Sequence, residues 1–336
     1  MITTSSPARF LIIQTAFIGD VILATALFEQ LHAHFPAARL DCLVRKGNES
    51  LLANHPFLNE VLVWNKKGTG ALFGKYSSLL DLLKIIRPRR YDVVINLQRF
   101  GTTGLLTALS DARVTAGFAK NPFARFFTHA APHELEPGVH EVNRNAGVIE
   151  FMTGTLPTGR PKLYPSSSDY EAIAPYKTQP YVCLAPASVW FTKQYPAEKW
   201  VDLVREMPPE QRIYLLGAPT DVDLCIRIER EAGRTNVVNL AGKLSLLQSA
   251  ALMRDAVMNY VNDSAPLHLC SAMNAPTTAV FCSTIPEFGF GPLADSSRVV
   301  QAGPLPCRPC TLHGRKACPL GHFDCSYGID TARLLA

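Results

Sequence analysis

Two segments far apart in the chain follow the same course. The apolar run Phe10-Leu11-Ile12-Ile13 leads into the small turn Ile18-Gly19-Asp20-Val21, and Ala256-Val257-Met258-Asn259-Tyr260-Val261 leads into Asn262-Asp263-Ser264-Ala265-Pro266-Leu267-His268. In both, a run with the length of a buried strand breaks at a polar turn and restarts as an apolar helix. In open α/β sheets that strand-to-helix turn is where ligands sit. One such turn in each half predicts two α/β domains with parallel sheets facing a central cleft. Each turn carries a carboxylate, Asp20 and Asp263.

The rest of the chain alternates in the same way. Strands are expected at Arg9–Thr15, Arg39–Val44, Glu60–Trp64, Tyr91–Leu97 and Arg113–Gly117, with helices at Val21–His34 and Ser77–Ile86. Prolines and serines crowd residues 156–180, and the domain boundary is placed there, giving 1–165 and 166–336. Alternation then resumes: strands at Tyr181–Ala185, Ile213–Leu216, Val237–Leu240, Val257–Val261 and Thr277–Phe281, with helices between them.

At 336 residues and 47% apolar, the chain is long enough for two cores. No apolar run approaches the roughly 18 residues that span a bilayer. The first residues lack the pattern of a secretory signal. Nine cysteines, several inside strand-like runs, suit a reducing compartment. The expected location is therefore the cytoplasm. Charge is uneven: residues 1–165 hold 18 Lys+Arg against 12 Asp+Glu, and residues 45–125 hold 13 against 5, including Lys66-Lys67, Arg87, Arg89-Arg90 and Arg113. That surplus predicts an anionic partner for the first domain, or else a solvated face. Zinc-finger, helix-turn-helix and RNA-binding signatures are absent, which argues against a nucleic acid polymer. A phosphorylated lipid or sugar fits better.

Asp20, at a helix start, reads by position as an N-cap, and the same carboxylate can act as a general base. Gly19 beside it lets backbone approach a ligand. The spacing is not the G-x-G-x-x-G of a dinucleotide fold. The loop Ala185-Pro186-Ala187-Ser188-Val189-Trp190-Phe191-Thr192-Lys193-Gln194-Tyr195-Pro196 offers one cation, Lys193, and the hydroxyls of Ser188 and Thr192, a set able to meet a phosphate. The bland reading of Lys193 is a solvent-exposed loop lysine. Asp263 and Ser264 open another helix, and His268 follows one turn later, either as a ligand-facing group or as a histidine satisfied between helix and sheet. The tail reads Cys307-x2-Cys310-x7-Cys318-x6-Cys325. It permits a four-sulfur structural zinc site, although the second pair is wider than a zinc ribbon's; the alternatives are inert or redox-labile thiols and an iron–sulfur cluster.

The Ile18-Gly19-Asp20 turn, the Pro186…Thr192-Lys193-Gln194-Tyr195-Pro196 loop and the Asn262–His268 turn, in this order, resemble the ADP-heptose–lipopolysaccharide heptosyltransferases, glycosyltransferase family 9. The tail Cys307-Arg308-Pro309-Cys310…Cys318-Pro319-Leu320-Gly321-His322…Cys325 is similar to the heptosyltransferase II branch. Ala187 and Ala265 depart from the pattern, standing where the family often has glycine. The resemblance implies a GT-B fold of two Rossmann-like domains, the first for the acceptor and the second for the nucleotide sugar. It implies inverting transfer of a heptose from an ADP-sugar without a catalytic metal. Asp20 would be the base and Lys193 the contact to the diphosphate. Asp263, Ser264 and His268, with Ser188 and Thr192, would hold the donor. Gly19, Arg45, Lys46, Arg99 and Lys120 would face a phosphorylated lipopolysaccharide inner core, with the enzyme peripheral at the cytoplasmic face of the inner membrane. Alternatives left open are a different donor sugar, an epimerase of the same fold, a non-catalytic sugar-nucleotide-binding protein, and a metal-binding protein centred on the cysteine tail.

Overall fold

A computed structural model of the chain describes residues 8–65, 72–157 and 159–336, with 72–77 described by backbone alone. Two compact units emerge: Met1–Leu135 with Glu141–Tyr164, and Glu136–His140 with Pro165–Ala336. The short piece Glu136–His140 thus goes with the second unit, whereas the sequence reading left it in the first.

In the first unit the order is β1 (Arg9–Gln14), α1 (Ile18–His34), β2 (Arg39–Arg45), β3 (Leu58–Trp64), α2 (Leu72–Ile86), β4 (Val93–Asn96), α3 (Gly101–Ala108), β5 (Val114–Phe118), β6 (His129–Ala131), α4 (Glu141–Gly147) and α5 (Glu150–Thr153). All six strands are parallel, in the order β3-β2-β1-β4-β5-β6. Strands covered on both faces read as continuous apolar runs, and Phe10 to Ile13 and Val93 to Ile95 are fully buried. Helix α1 is apolar on nearly every side because it is covered on nearly every side. Its outer face meets the segment running up to the domain boundary: Lys162 N–H donates to Thr25 Oγ1 at 2.8 Å, and Tyr164 O–H donates to Glu29 Oε1 at 2.6 Å. It stops where the sequence said it would, at His34, two residues before Pro36.

The second unit repeats the plan. It comprises α6 (Ser167–Ile173), β7 (Tyr181–Ala185), α7 (Ala197–Glu206), β8 (Arg212–Leu215), α8 (Val222–Ala232), β9 (Val237–Asn239), α9 (Leu246–Arg254), β10 (Met258–Asn262), α10 (Ala265–Met273), β11 (Thr277–Phe281), β12 (Ser297–Gln301), α11 (Asp324–Tyr327) and α12 (Ala332–Leu335). Its six parallel strands run β12-β11-β10-β7-β8-β9. Read from the first strand of each unit outward, the two sheets have one topology. The expectation of two Rossmann-like α/β units is met.

The sequence reading missed α3, α4, α5, α6, α11, α12, β6 and β12, and for four of these the reason is identifiable. Helix α3, Gly-Thr-Thr-Gly-Leu-Leu-Thr-Ala, opens on four residues of low helix propensity. Strands β6 and β12 sit at sheet edges with polar ends. Helix α6 lies inside the proline- and serine-rich stretch, where Ser166 and Asp169 form a reciprocal capping box. Among the described residues no helix is long and apolar enough to cross a membrane.

Candidate functional site

In each unit the winding reverses beside its first strand: between β1 and β4 in the first, and between β7 and β10 in the second. At such a reversal the crossover helices leave on opposite faces, so the C-terminal ends of the two strands open into a crevice. The two turns singled out in the sequence lie at these two points.

In the first unit, the strand ends present Gln14, Thr15, Asn96 and Gln98, all polar and buried. Gln98 donates its amide to Gln14 Oε1, and its backbone N–H donates to Asn96 Oδ1 at 2.9 Å. Thr15 Oγ1, Asn96 Nδ2 and Gln98 Oε1 are buried without partners. Buried polar atoms are normally bonded, and these three have no protein partner. Asp20 is the third residue of α1; the N-cap position belongs to Phe17, whose side chain caps nothing. The N-cap reading of Asp20 is therefore corrected. Burial, followed by the negative charge of Glu141, pushes the Asp20 carboxyl up to about 6, against the pull of its own and Phe17's N–H groups and of Arg99. Glu141 comes from α4, which packs on α1. Burial also raises Glu141, although Arg144 Nε donates to its Oε2 at 2.7 Å. His133 Nε2 lies 3.8 Å from the same oxygen, but burial lowers this imidazole to about 4, so it is neutral at working pH. The sequence reading missed Glu141, Arg144 and His133. Their signal was faint: an acid and a base one helical turn apart in His140-Glu141-Val142-Asn143-Arg144-Asn145.

The residues expected to meet the acceptor divide. Gly19 is the second residue of α1 and does not adopt a positive φ. Arg45 and Lys46 leave β2, and Arg99 leaves β4, at the same sheet edge as Asp20; all three are exposed. The Arg45 guanidinium sits over the Phe17 ring at 5.9 Å. Lys120 leaves β5 at that edge too, but it is paired with Glu134 at 3.2 Å. Other parts of the basic stretch lie at the opposite edge. Arg89 pairs with Glu60 and, at 3.7 Å, with Asp41. Arg113 pairs with Asp92 at 3.3 Å, and Arg87 donates to the Leu109 carbonyl at 2.7 Å. Lys66 and Lys67 lie outside the described residues.

In the second unit the loop after β7 and the turn after β10 come together. Lys193 Nζ is 2.7 Å from Asp263 Oδ2, with the lysine side chain 15% exposed and the aspartate 6%. Thr284, beyond β11, donates its hydroxyl to the same oxygen at 2.6 Å. The solvent-exposed reading of Lys193 is thereby excluded: the cation is held at a strand end by a buried carboxylate. Asn262 fixes the loop from below. Its Oδ1 accepts from Tyr195 N–H at 3.0 Å, and its Nδ2 donates to the Pro186 carbonyl at 2.7 Å. Ser188 is half-buried, and Gln194 donates to its carbonyl at 2.5 Å. Ser264 is the N-cap residue of α10, but its hydroxyl turns back to the Ala187 carbonyl at 3.4 Å. His268 is buried, and burial drives it down to about 3. It is neutral, and its Nδ1 has no partner. Thr192 is 1% exposed, and its Oγ1 already accepts from Ser283 Oγ at 2.9 Å and from Arg315 N–H at 2.7 Å. Both bonds use the hydroxyl's lone pairs and fix the loop, while its proton is the part that would donate to a phosphate.

All nine cysteines are free thiols. Burial and then the neighbouring Cys310, Cys318 and Cys307 push Cys325 up to about 12, so the tail thiols sense one another. Among the described residues no group of three or more His, Cys, Asp or Glu could hold a metal ion.

The profile of Glycosyltransferase family 9 (heptosyltransferase) matches residues 79–320. Lipopolysaccharide heptosyltransferase 3 of Escherichia coli K12 is 29% identical over 282 residues, covering 79% of this chain and 80% of that protein. A family 9 glycosyltransferase structure from Veillonella parvula superposes with a TM-score of 0.79 at 21% identity, covering 88% of this chain and 86% of that one. The structure of E. coli ADP-heptose lps heptosyltransferase II superposes with a TM-score of 0.76 at 19% identity, covering 97% and 98%. These likenesses are of fold, and the fold is GT-B. With more than half of its length matched by the profile, the chain belongs to glycosyltransferase family 9, the heptosyltransferases.

Proposed function

We propose that this protein moves a heptosyl group from ADP-heptose to a hydroxyl of the phosphorylated inner core of lipopolysaccharide, with inversion at the anomeric carbon. The observation that carries this reading is Asp20, a half-buried carboxyl in the first turn of α1 with its pKa near 6. Such a group is ionised at neutral pH yet basic enough to take a proton as the acceptor oxygen attacks. Family membership supplies the reaction class, and the names of the relatives supply the donor and acceptor.

In this reading the sugar passes through an oxocarbenium-like state while ADP leaves from the opposite face. Lys193 meets the charge that develops on the leaving diphosphate, together with the positive end of the α10 dipole. Asp263 aims the lysine and, with Ser264 and the neutral His268, addresses sugar hydroxyls. Ser188 completes the donor loop. Arg45, Lys46 and Arg99 receive acceptor phosphates, and the enzyme works at the cytoplasmic face of the inner membrane without spanning it. No step in this scheme is assigned to a metal or other cofactor.

Thermal unfolding with ADP, UDP, GDP and CDP tests the donor. A nucleotide that binds only the folded state stabilises by mass action, about 2.7 kcal/mol at a hundredfold excess over Kd. ADP alone should raise Tm. Selective stabilisation by UDP would shift the assignment to another nucleotide-sugar enzyme of this fold.

A further inference from the structure

The cysteine-rich tail touches the lysine loop in a way the reaction scheme does not use. Thr192 and Arg315 pair reciprocally: Thr192 N–H donates to the Arg315 carbonyl at 3.1 Å, while Arg315 N–H donates to the side-chain Oγ1 of Thr192 at 2.7 Å. Ser283 joins the same knot, donating its hydroxyl to Thr192 Oγ1 at 2.9 Å and its N–H to the Thr192 carbonyl at 3.2 Å. Cys310 N–H in turn donates to the Ser283 carbonyl at 2.9 Å. Upstream, the Arg308 guanidinium donates to the carbonyls of Cys282 and Thr284, both at 2.7 Å. Thr284 is the residue whose hydroxyl holds Asp263. Between these anchors, Thr311 Oγ1 accepts from Gly314 N–H at 2.9 Å and closes a turn.

Gly314 closes that turn as its last residue, with φ of +84°. A Cβ there would stand 2.8 Å from Lys193 Cγ and 3.0 Å from Trp190 Cβ. The stem of the lysine therefore rests directly on the tail's backbone, and only glycine permits both the left-handed conformation and the contact.

We propose that Cys310–Arg315 is a strap that sets the position of the Lys193 ammonium, with Thr192 as its pin and Gly314 as the surface under the lysine stem. Thr192, Gly314 and Arg315 are thus positioning residues that act through Lys193. The proposal rests on the reading of Lys193 as the group that meets leaving-group charge. It also gives the tail a part in the reaction that needs no metal.

Gly314→Ala, Thr192→Val and Thr192→Ser, each in the full chain, test it by steady-state transfer from ADP-heptose, alongside Lys193→Met. A preorganised charge donor in such a site contributes roughly 10²–10³ in kcat. Displacing it by part of an ångström should cost about 10-fold or more of that. Gly314→Ala and Thr192→Val should therefore lower kcat with acceptor KM unchanged. Thr192→Ser, which keeps the accepting oxygen, should restore it. Adding Gly314→Ala to Lys193→Met should cause no further loss, because both act through one group. Tm separates folding from function, and if Thr192→Val does not fold, Gly314→Ala decides the matter. Wild-type kcat in Gly314→Ala beside a collapsed Lys193→Met, or losses that multiply in the double variant, would overturn the strap and leave the reaction scheme standing. Wild-type kcat in Lys193→Met would instead overturn the scheme on which the strap depends.

Discussion

At the scale of single residues, Asp20 is held in a state that costs stability. Its folded pKa, near 6, lies above the ordinary carboxylate value of 3.8. Folding therefore favours the protonated form, and stability contributed at low pH is lost as pH rises from about 4 through 6. At pH 7 to 8 the ionised carboxylate is a burden on the order of 2 kcal/mol, reduced from the full shift because the group is only half-buried. Asp20→Asn should thus raise Tm at pH 8 while lowering kcat by about 10²–10⁴, the usual contribution of a general base. In the wild type, kcat/KM should fall as pH drops below about 6, when the base takes up a proton. A variant that loses Tm and keeps its turnover would make Asp20 a structural residue of the first turn of α1. Glu141 shows how a site residue hides in sequence. It lies 121 positions from Asp20, and nothing local ties the two until α4 packs on α1.

At the scale of elements, the strand exits decide which charges matter. A count over residues 45–125 gives 13 basic residues against 5 acidic ones, but position in the fold divides them. Arg45, Lys46 and Arg99 follow strand C-terminal ends on the edge that carries Asp20, whereas Arg87, Arg89 and Arg113 precede strands and are bonded there. Arg99→Ala should therefore raise acceptor KM and weaken its dependence on ionic strength, while Arg89→Ala should alter stability with no such effect. Equal changes in acceptor KM from both would show that the first unit acts as one diffuse positive field. Most strands were legible in the sequence because buried parallel strands are continuous apolar runs with no competing period. The core of α1 was legible too, with its true start three residues earlier. Helix α3 and the edge strands β6 and β12 were hidden, since polar, glycine-rich or short segments carry little periodicity. The partners of Lys193 were half legible. Asp263 was singled out as a ligand-facing group, but its pairing with the lysine depends on β7 and β10 being neighbours, which only the crossing of the chain establishes.

At the scale of the whole molecule, one topology is used twice with different chemistry at its crevice. The first unit places a carboxylate of raised pKa among buried, unpartnered polar groups. The second places a lysine in a buried ion pair, beside a neutral histidine and a helix start. A proton acceptor in one unit and a cation in the other are the two requirements of an inverting transfer from a nucleotide sugar. The fold alone does not select that reaction, and sites rather than folds carry function. The most direct test is therefore the product. Incubation with ADP-heptose and an inner-core glycolipid lacking its heptose, followed by mass spectrometry, should show the acceptor heavier by one heptosyl residue and ADP released in equal amount. ADP-heptose left intact, or ADP released with no change in the acceptor, would contradict transfer.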